Sequence, residues 1–237
     1  MDRRTFVFAS SGAAAGSLLV TGFAEAHDDD AKSPWPESGL ATGKPKPLRH
    51  KEVPGFLSAA QIAPHHTAHY GGALKAFAAA DARFEESFSK GTAIDPAAFE
   101  RLKQIQSSRG NSVILHELYF DGLALKAVAP SERIKTALGK RFGSMEKWAA
   151  DFVASAKAAG GWAMLVVHPA NGRLYNVVSD EHAQGPLWFS EPLVVIDTYE
   201  HAFYVDYQNK KADYVEKFLG YIDWAEAERR YRAVVKG

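Results

Sequence analysis

The sequence predicts an α+β fold: a helical first part, then a mixed α/β part with a small antiparallel sheet, divided near residue 128. Three observations carry that prediction. From Ser58 to Gly160 the chain offers Ala-rich segments opened by Ser or Pro and closed by Gly, the punctuation of helices. At Gly161 the pattern changes to short apolar and β-branched runs, GWAMLVVHP and RLYNVVSD. Between them stands Ala170-Asn171-Gly172, whose Asn-Gly pair marks a tight hairpin turn.

Taken in order, the first helix opens at Ser58, a good N-cap, and runs through SAAQIAPHHTAHYGGALKAFAAADARFEESF, with a kink or break predicted at Pro64 and Gly71-Gly72. A second helix is predicted over roughly 96–106, after Asp95-Pro96, and a third over 111–125. Pro130-Ser131 opens a fourth, and Ser144 opens a fifth that stops at Gly160. The hairpin follows, then PLVVID as a short buried strand, and two closing helices, ADYVEKFLGYI and DWAEAERRYRAVV. Residues 27–50 are polar and Pro-rich and read as a tail without regular structure. The resulting division is 1–26, 27–50, 51–128 and 129–237.

Residues 1–26, MDRRTFVFASSGAAAGSLLVTGFAEA, resemble a bacterial export signal of the twin-arginine kind. Arg3-Arg4 is followed by Phe6, a weakly apolar stretch, and the small-x-small pattern Ala24-Glu25-Ala26. The resemblance implies cleavage after Ala26, a folded cargo carrying its cofactor, a periplasmic destination and no membrane association once the signal is removed.

Composition narrows the chemistry. The chain has 237 residues, 46% hydrophobic and 24% charged, with 28 basic and 28 acidic side chains. Zero net charge gives no general case for nucleic acid or an anionic membrane as partner. The absence of cysteine removes disulfides, thiol nucleophiles and thiolate ligands together, so a metal would need nitrogen and oxygen ligands.

One stretch raises a specific question. In VVIDTYEHAFYVDYQN an apolar run delivers Asp197, and four residues later His201 stands among aromatics. At helical spacing the two share a face. Burying an unpartnered carboxylate is costly, so its partner is either His201 or an ion that both bind. His65 and His116 lie in other structured segments and complete a set of four candidate ligands, with His66 the fallback if the register slips at Pro64. His66, His168 and His182 read as surface groups or as partners outside the ligand set.

Residues 57–236 resemble the iron/manganese superoxide dismutase family. The carriers are DTYEHAFY (197–204), AGGWAMLV (159–166), LSAAQIAPHHTAHY (57–70) and NSVILHELYFDGL (111–123). The resemblance implies an N-terminal helical hairpin domain followed by a C-terminal α/β domain with a three-stranded antiparallel sheet. It also implies one manganese or iron ion per subunit, held by His65, His116, Asp197 and His201, and dismutation of superoxide to oxygen and hydrogen peroxide. The alternative is a related metal-binding protein with weak or no dismutase activity.

Around the ligands the resemblance assigns Gln184 to the metal-bound solvent, His69 to the substrate entrance and Trp162 to a wall. Small Ser112 leaves room for Gln184, which tilts the metal toward manganese. Glu200, Tyr204, His201 and His69 are implied to bridge a symmetric homodimer, Glu200 to the partner's His201 and Tyr204 to the partner's His69. Two departures stand out: Tyr199 replaces the signature's Trp, and Ala73 takes the place of the gateway Tyr, with Tyr70 three positions earlier.

Overall fold

The structure is a computed structural model that describes residues 35–185 and 187–235. The export signal at 1–26 and the first part of the polar stretch, 27–34, lie outside the described residues. A short helix, α1 (Gly39–Thr42), precedes α2 (Ala59–Pro64), a π-helical turn (His65–Tyr70) and α3 (Gly71–Lys90). Then come α4 (Pro96–Asp121), α5 (Glu132–Phe142) and α6 (Met145–Ala158). Strands β1 (Trp162–His168), β2 (Arg173–Ser179) and β3 (Glu191–Asp197) follow. A 3-10 turn (Glu200–Ala202), α7 (Tyr204–Tyr207), α8 (Lys211–Phe218) and α9 (Trp224–Val234) close the chain.

The helix starts follow the sequence. Ser58, Asp95, Ser131 and Ser144 each accept a backbone N–H of the first turn with their side chains. Two helical expectations need correction. The separate helices over 96–106 and 111–125 are one continuous α4. Gly110, inside it, is buried against Phe77 of α3, whose ring a Cβ would meet at 3.1 Å; close packing of α3 on α4 outweighs the roughly 1 kcal/mol that glycine costs a helix. The break expected at Pro64 and Gly71-Gly72 is instead the π turn, which carries the chain from α2 into α3 without a stop. Such turns insert one extra residue into a helix and cluster at functional sites.

The polar stretch also needs correction over 35–50. Ser38 and Gly39 are buried, and the segment is tied down along its length. Lys46 Nζ meets Asp121 Oδ2 at 2.6 Å, and Arg49 Nη1 reaches Asp223 Oδ2 at 3.1 Å. The composition misled because a strap lying over a core needs few apolar residues when its partners supply hydrogen bonds.

The sheet order is β2-β1-β3, antiparallel throughout. Central β1 is buried over six of its seven residues, which is why it reads as a continuous apolar run rather than an alternation. α5 and α6 pack on β2 and β1, while α4 and α9 pack on β3. Phe152, Leu165 and Ile196 are fully buried there, each contributing roughly 1.5–3 kcal/mol. The helical part joins the same core through α4 and through a bridge between Leu123 and Ile222. Register decides the rest: Trp162 pairs with Ser179 on one side and Asp197 on the other, so the start of β1 and the end of β3 meet at one edge, facing α4.

Candidate metal centre

At that edge the four candidate ligands converge. His65 comes from the π turn, His116 from α4, Asp197 from the last position of β3 and His201 from the 3-10 turn. One ligand atom from each lies within 4.8 Å of all the others. Asp197 Oδ2 is the common centre, 3.1 Å from His65 Nε2, 3.3 Å from His201 Nε2 and 3.7 Å from His116 Nε2. Asp197 and His201 do not share a helix, as their spacing had suggested; a strand end and a 3-10 turn bring them together.

Three of the four candidate ligands are held from behind. Asp197 Oδ1 accepts the Tyr199 N–H at 2.9 Å, which leaves Oδ2 for the centre. The Asp197 carbonyl accepts Tyr214 Oη at 2.9 Å, and Tyr214 pairs with Tyr119 at 3.0 Å. His116 Nδ1 donates to the Ser112 carbonyl at 2.7 Å, which fixes the tautomer and leaves Nε2 bare. Gln61 of α2 donates to the His201 carbonyl at 2.6 Å and accepts the Val205 N–H at 2.9 Å, clamping the 3-10 turn onto the helical part. His201 lies between two rings, His69 stacked at 3.8 Å and Tyr199 at 5.3 Å.

The electrostatics suit a cation. Burial lowers the pKa of His65, against the pull of Asp197, and brings His116 down to about 3. Burial acts to raise Asp197, but the His201 and His65 imidazoles close to its Oδ2 outweigh it and hold the carboxyl below its ordinary value. His65 and His116 thus stand as neutral imidazoles beside an ionised carboxylate. Among the described residues, His116 Nε2 and His201 Nε2 are buried without a hydrogen-bond partner. Buried polar atoms are seldom left so. A single ion among these four atoms satisfies all of them, and an all-nitrogen-and-oxygen set fits manganese or iron.

The surrounding residues fall less neatly. Trp162 is buried, with its ring 5.2 Å from His116 in edge-to-face contact. Gln184 needs correction: it is exposed, and its Oε1 accepts the Asp180 N–H at 2.9 Å, closing the loop after β2 on itself. His182, two residues earlier, faces the centre instead. Its Nδ1 accepts Trp162 Nε1–H at 2.9 Å, and its ring lies 6.2 Å from His116 and 5.1 Å from Tyr199. Asn111 anchors it by donating to its carbonyl at 2.9 Å. Burial lowers the His182 pKa. The signal for His182 was present, a histidine in the same loop, but loop geometry decides which of two neighbours turns inward.

His69 is exposed at the rim, and burial together with His201 lowers its pKa to about 4. Tyr204 and Glu200 are exposed as well. Ala73 is buried in α3, and the Tyr70 hydroxyl is engaged by Lys46 N–H and Glu117 Oε1 rather than by any of the four candidate ligands.

Fold and cluster together define a class: an α+β protein whose interior offers three imidazole nitrogens and one carboxylate oxygen to a single ion. Comparison with known proteins gives the particular family. Residues 130–230 match the family described as iron/manganese superoxide dismutases, C-terminal domain. The chain is 38% identical over 183 residues to "Superoxide dismutase [Fe]" of Cupriavidus metallidurans, covering 76% of this chain and 91% of the relative. It is 32% identical over 193 residues to "Superoxide dismutase [Mn] 2" of Haloferax volcanii, covering 81% and 96%. The chain belongs to the iron/manganese superoxide dismutase family.

Proposed function

We propose that this protein is a superoxide dismutase holding one manganese or iron ion per subunit at His65, His116, Asp197 and His201. The observation that carries the reading is the convergence of four ligand atoms within 4.8 Å, two of them buried nitrogens without any other partner. Relatives named for manganese and for iron both support it. The tilt toward manganese rested on Gln184 and loses its footing with that residue turned away.

The bound ion supplies one-electron chemistry, by which one superoxide is oxidised to oxygen and a second, reduced and taking up two protons, becomes hydrogen peroxide. The chain supplies placement and protons. Asp197 and the three imidazoles fix the ion and offset part of its charge. Because His182 Nδ1 accepts from Trp162, the neutral ring carries its hydrogen on Nε2, a free donor beside the centre. His69 stays neutral near pH 7 and lines the approach.

Export by the twin-arginine route and a periplasmic location belong to the same proposal, supported by Arg3-Arg4, Phe6 and Ala24-Glu25-Ala26. Among the described residues no helix is long and apolar enough to cross a membrane. A symmetric homodimer is proposed through His69, Glu200, His201 and Tyr204. Its support is the exposure of Tyr204 (51%) and Val205 (57%) beside Glu200, next to a cavity of about 370 Å³ lined by Gly160, Glu200, Phe203 and Lys211.

The test is metal content and superoxide dismutation measured on one purified sample. Stoichiometric manganese or iron with dismutation supports the enzyme. Metal without dismutation selects the binding-protein alternative, and absence of both sinks the reading.

A further inference from the structure

His65 and His116 reach the centre from different segments, and they are not equally secured. His116 is oriented from behind by the Ser112 carbonyl, whereas His65 Nδ1 is buried with no hydrogen-bond partner among the described residues. The placement of His65 therefore depends on how the whole π turn sits against α4. Among the described residues one side-chain hydrogen bond joins the π turn to α4: Tyr70 Oη donates to Glu117 Oε1 at 2.9 Å. Tyr70 ends the π turn that His65 begins, and Glu117 follows His116 directly. Both are buried, at 1% and 3% exposure.

This bond is closed from outside by the strap over residues 35–49. Lys46 N–H donates to Tyr70 Oη at 2.7 Å, and Gly39 N–H donates to Glu117 Oε1 at 2.7 Å. The Lys46 carbonyl also lies 2.8 Å from His66 Nε2, one residue from the ligand. The fit leaves no spare room: a Cβ on Gly39 would stand 2.8 Å from Tyr70 Oη and 3.0 Å from Leu74 Cδ2. The hydroxyl accepts once and donates once, and Oε1 accepts twice, so each atom in the chain has a defined role.

We propose that Tyr70 and Glu117 are positioning residues of the metal centre, and that residues 35–49 are a strap that locks them. The chain Lys46 N–H to Tyr70 to Glu117, closed by Gly39 N–H, sets the π turn against α4 and holds His65 in line with His116. This rests on the reading of the four ligands as a metal centre. It assigns a function to a stretch whose composition suggested none.

The experiment follows metal release from full-length, manganese-loaded protein into excess chelator, beside thermal unfolding of each variant. Tyr70→Phe removes the hydroxyl, and Gly39→Ala pushes it aside; each is expected to speed release about tenfold or more, the range for residues that orient ligands. Glu117→Gln keeps a carbonyl oxygen able to accept both bonds and is expected to stay within about twofold of the parent, while Glu117→Ala behaves as Tyr70→Phe. Trp148→Phe, which loses a half-buried hydrogen bond between α6 and Asn176 of β2, controls for general destabilisation. Release from Tyr70→Phe no faster than from the parent or from Trp148→Phe overturns the proposal. Parent protein that takes up neither manganese nor iron overturns the metal reading and this proposal together.

Discussion

The four candidate ligand residues and the ring of side chains around them behave as two different regions. His65, His116 and Asp197 have side-chain exposures of 1%, 1% and 0%, and His201 has 20%. His69, Gln184, Glu200 and Tyr204 are exposed. In the inner region a misplaced polar group has no water to fall back on, so every alternative arrangement carries a desolvation cost. In the outer region water satisfies whichever side chain turns outward, and small loop preferences choose between neighbours. His182 and Gln184 show this: both sit in one loop, and the one that found Trp162 as a partner faces inward.

The largest effects should come from the inner region. His116→Ala or Asp197→Ala is expected to abolish stoichiometric metal binding and bring dismutation to background, weakening affinity by more than the roughly 10–100-fold typical of outer partners. Metal analysis of the purified variants checks this; full occupancy in either would erase the distinction between the two regions.

Next is acid sensitivity of the metal-free protein. His116 has a folded pKa of about 3 against an ordinary 6.5, so between these values the unfolded chain binds a proton that the folded chain refuses. Stability is therefore intact above pH 6.5 and falls as pH drops toward 3, by a few kcal/mol at most from this group. Asp197, held below its ordinary value, adds loss of the same sign from about its unfolded value of 3.8 downward. Urea unfolding from pH 7.5 to 4 should show a declining midpoint. A flat profile would mean that His116 is not buried neutral.

A smaller effect separates the two loop residues. His182→Ala is expected to cut dismutation roughly 10–100-fold, while Gln184→Ala leaves it within about twofold. The reverse order would restore Gln184 to the centre. The smallest effect concerns the exposed face: Glu200→Ala should weaken dimerisation about tenfold, as loss of one charge-assisted bond per symmetric half implies. Analytical ultracentrifugation across a dilution series reads this directly, and an unchanged dissociation constant removes Glu200 from the interface.

How much was legible can be argued from particular residues. Helix starts at Ser58, Ser131 and Ser144 were legible because an N-cap is a local contact within four residues. The hairpin was legible from Asn171-Gly172, where Gly172 takes a φ of 63°. The four candidate ligands stood out because their motifs resemble a known family, and because polar residues set in apolar runs need a reason to be buried. The continuity of α4 through Gly110 was not legible, since it depends on Phe77 of a different helix. Neither was the strap, whose bonds to Tyr70, Glu117 and Asp121 span 24, 78 and 75 positions.

The sequence by itself determined where most helices begin and where the chain turns to strand, because these are written in short-range pattern, and it offered four candidate ligands through residue type and resemblance to a known family. Tertiary structure alone decided that Asp197 and His201 meet through a strand end and a 3-10 turn, that His182 rather than Gln184 turns inward, and that residues 35–49 lie across the helices. These outcomes depend on pairs of groups far apart in the chain, whose desolvation and hydrogen bonding are settled only once the surfaces that bear them have closed together.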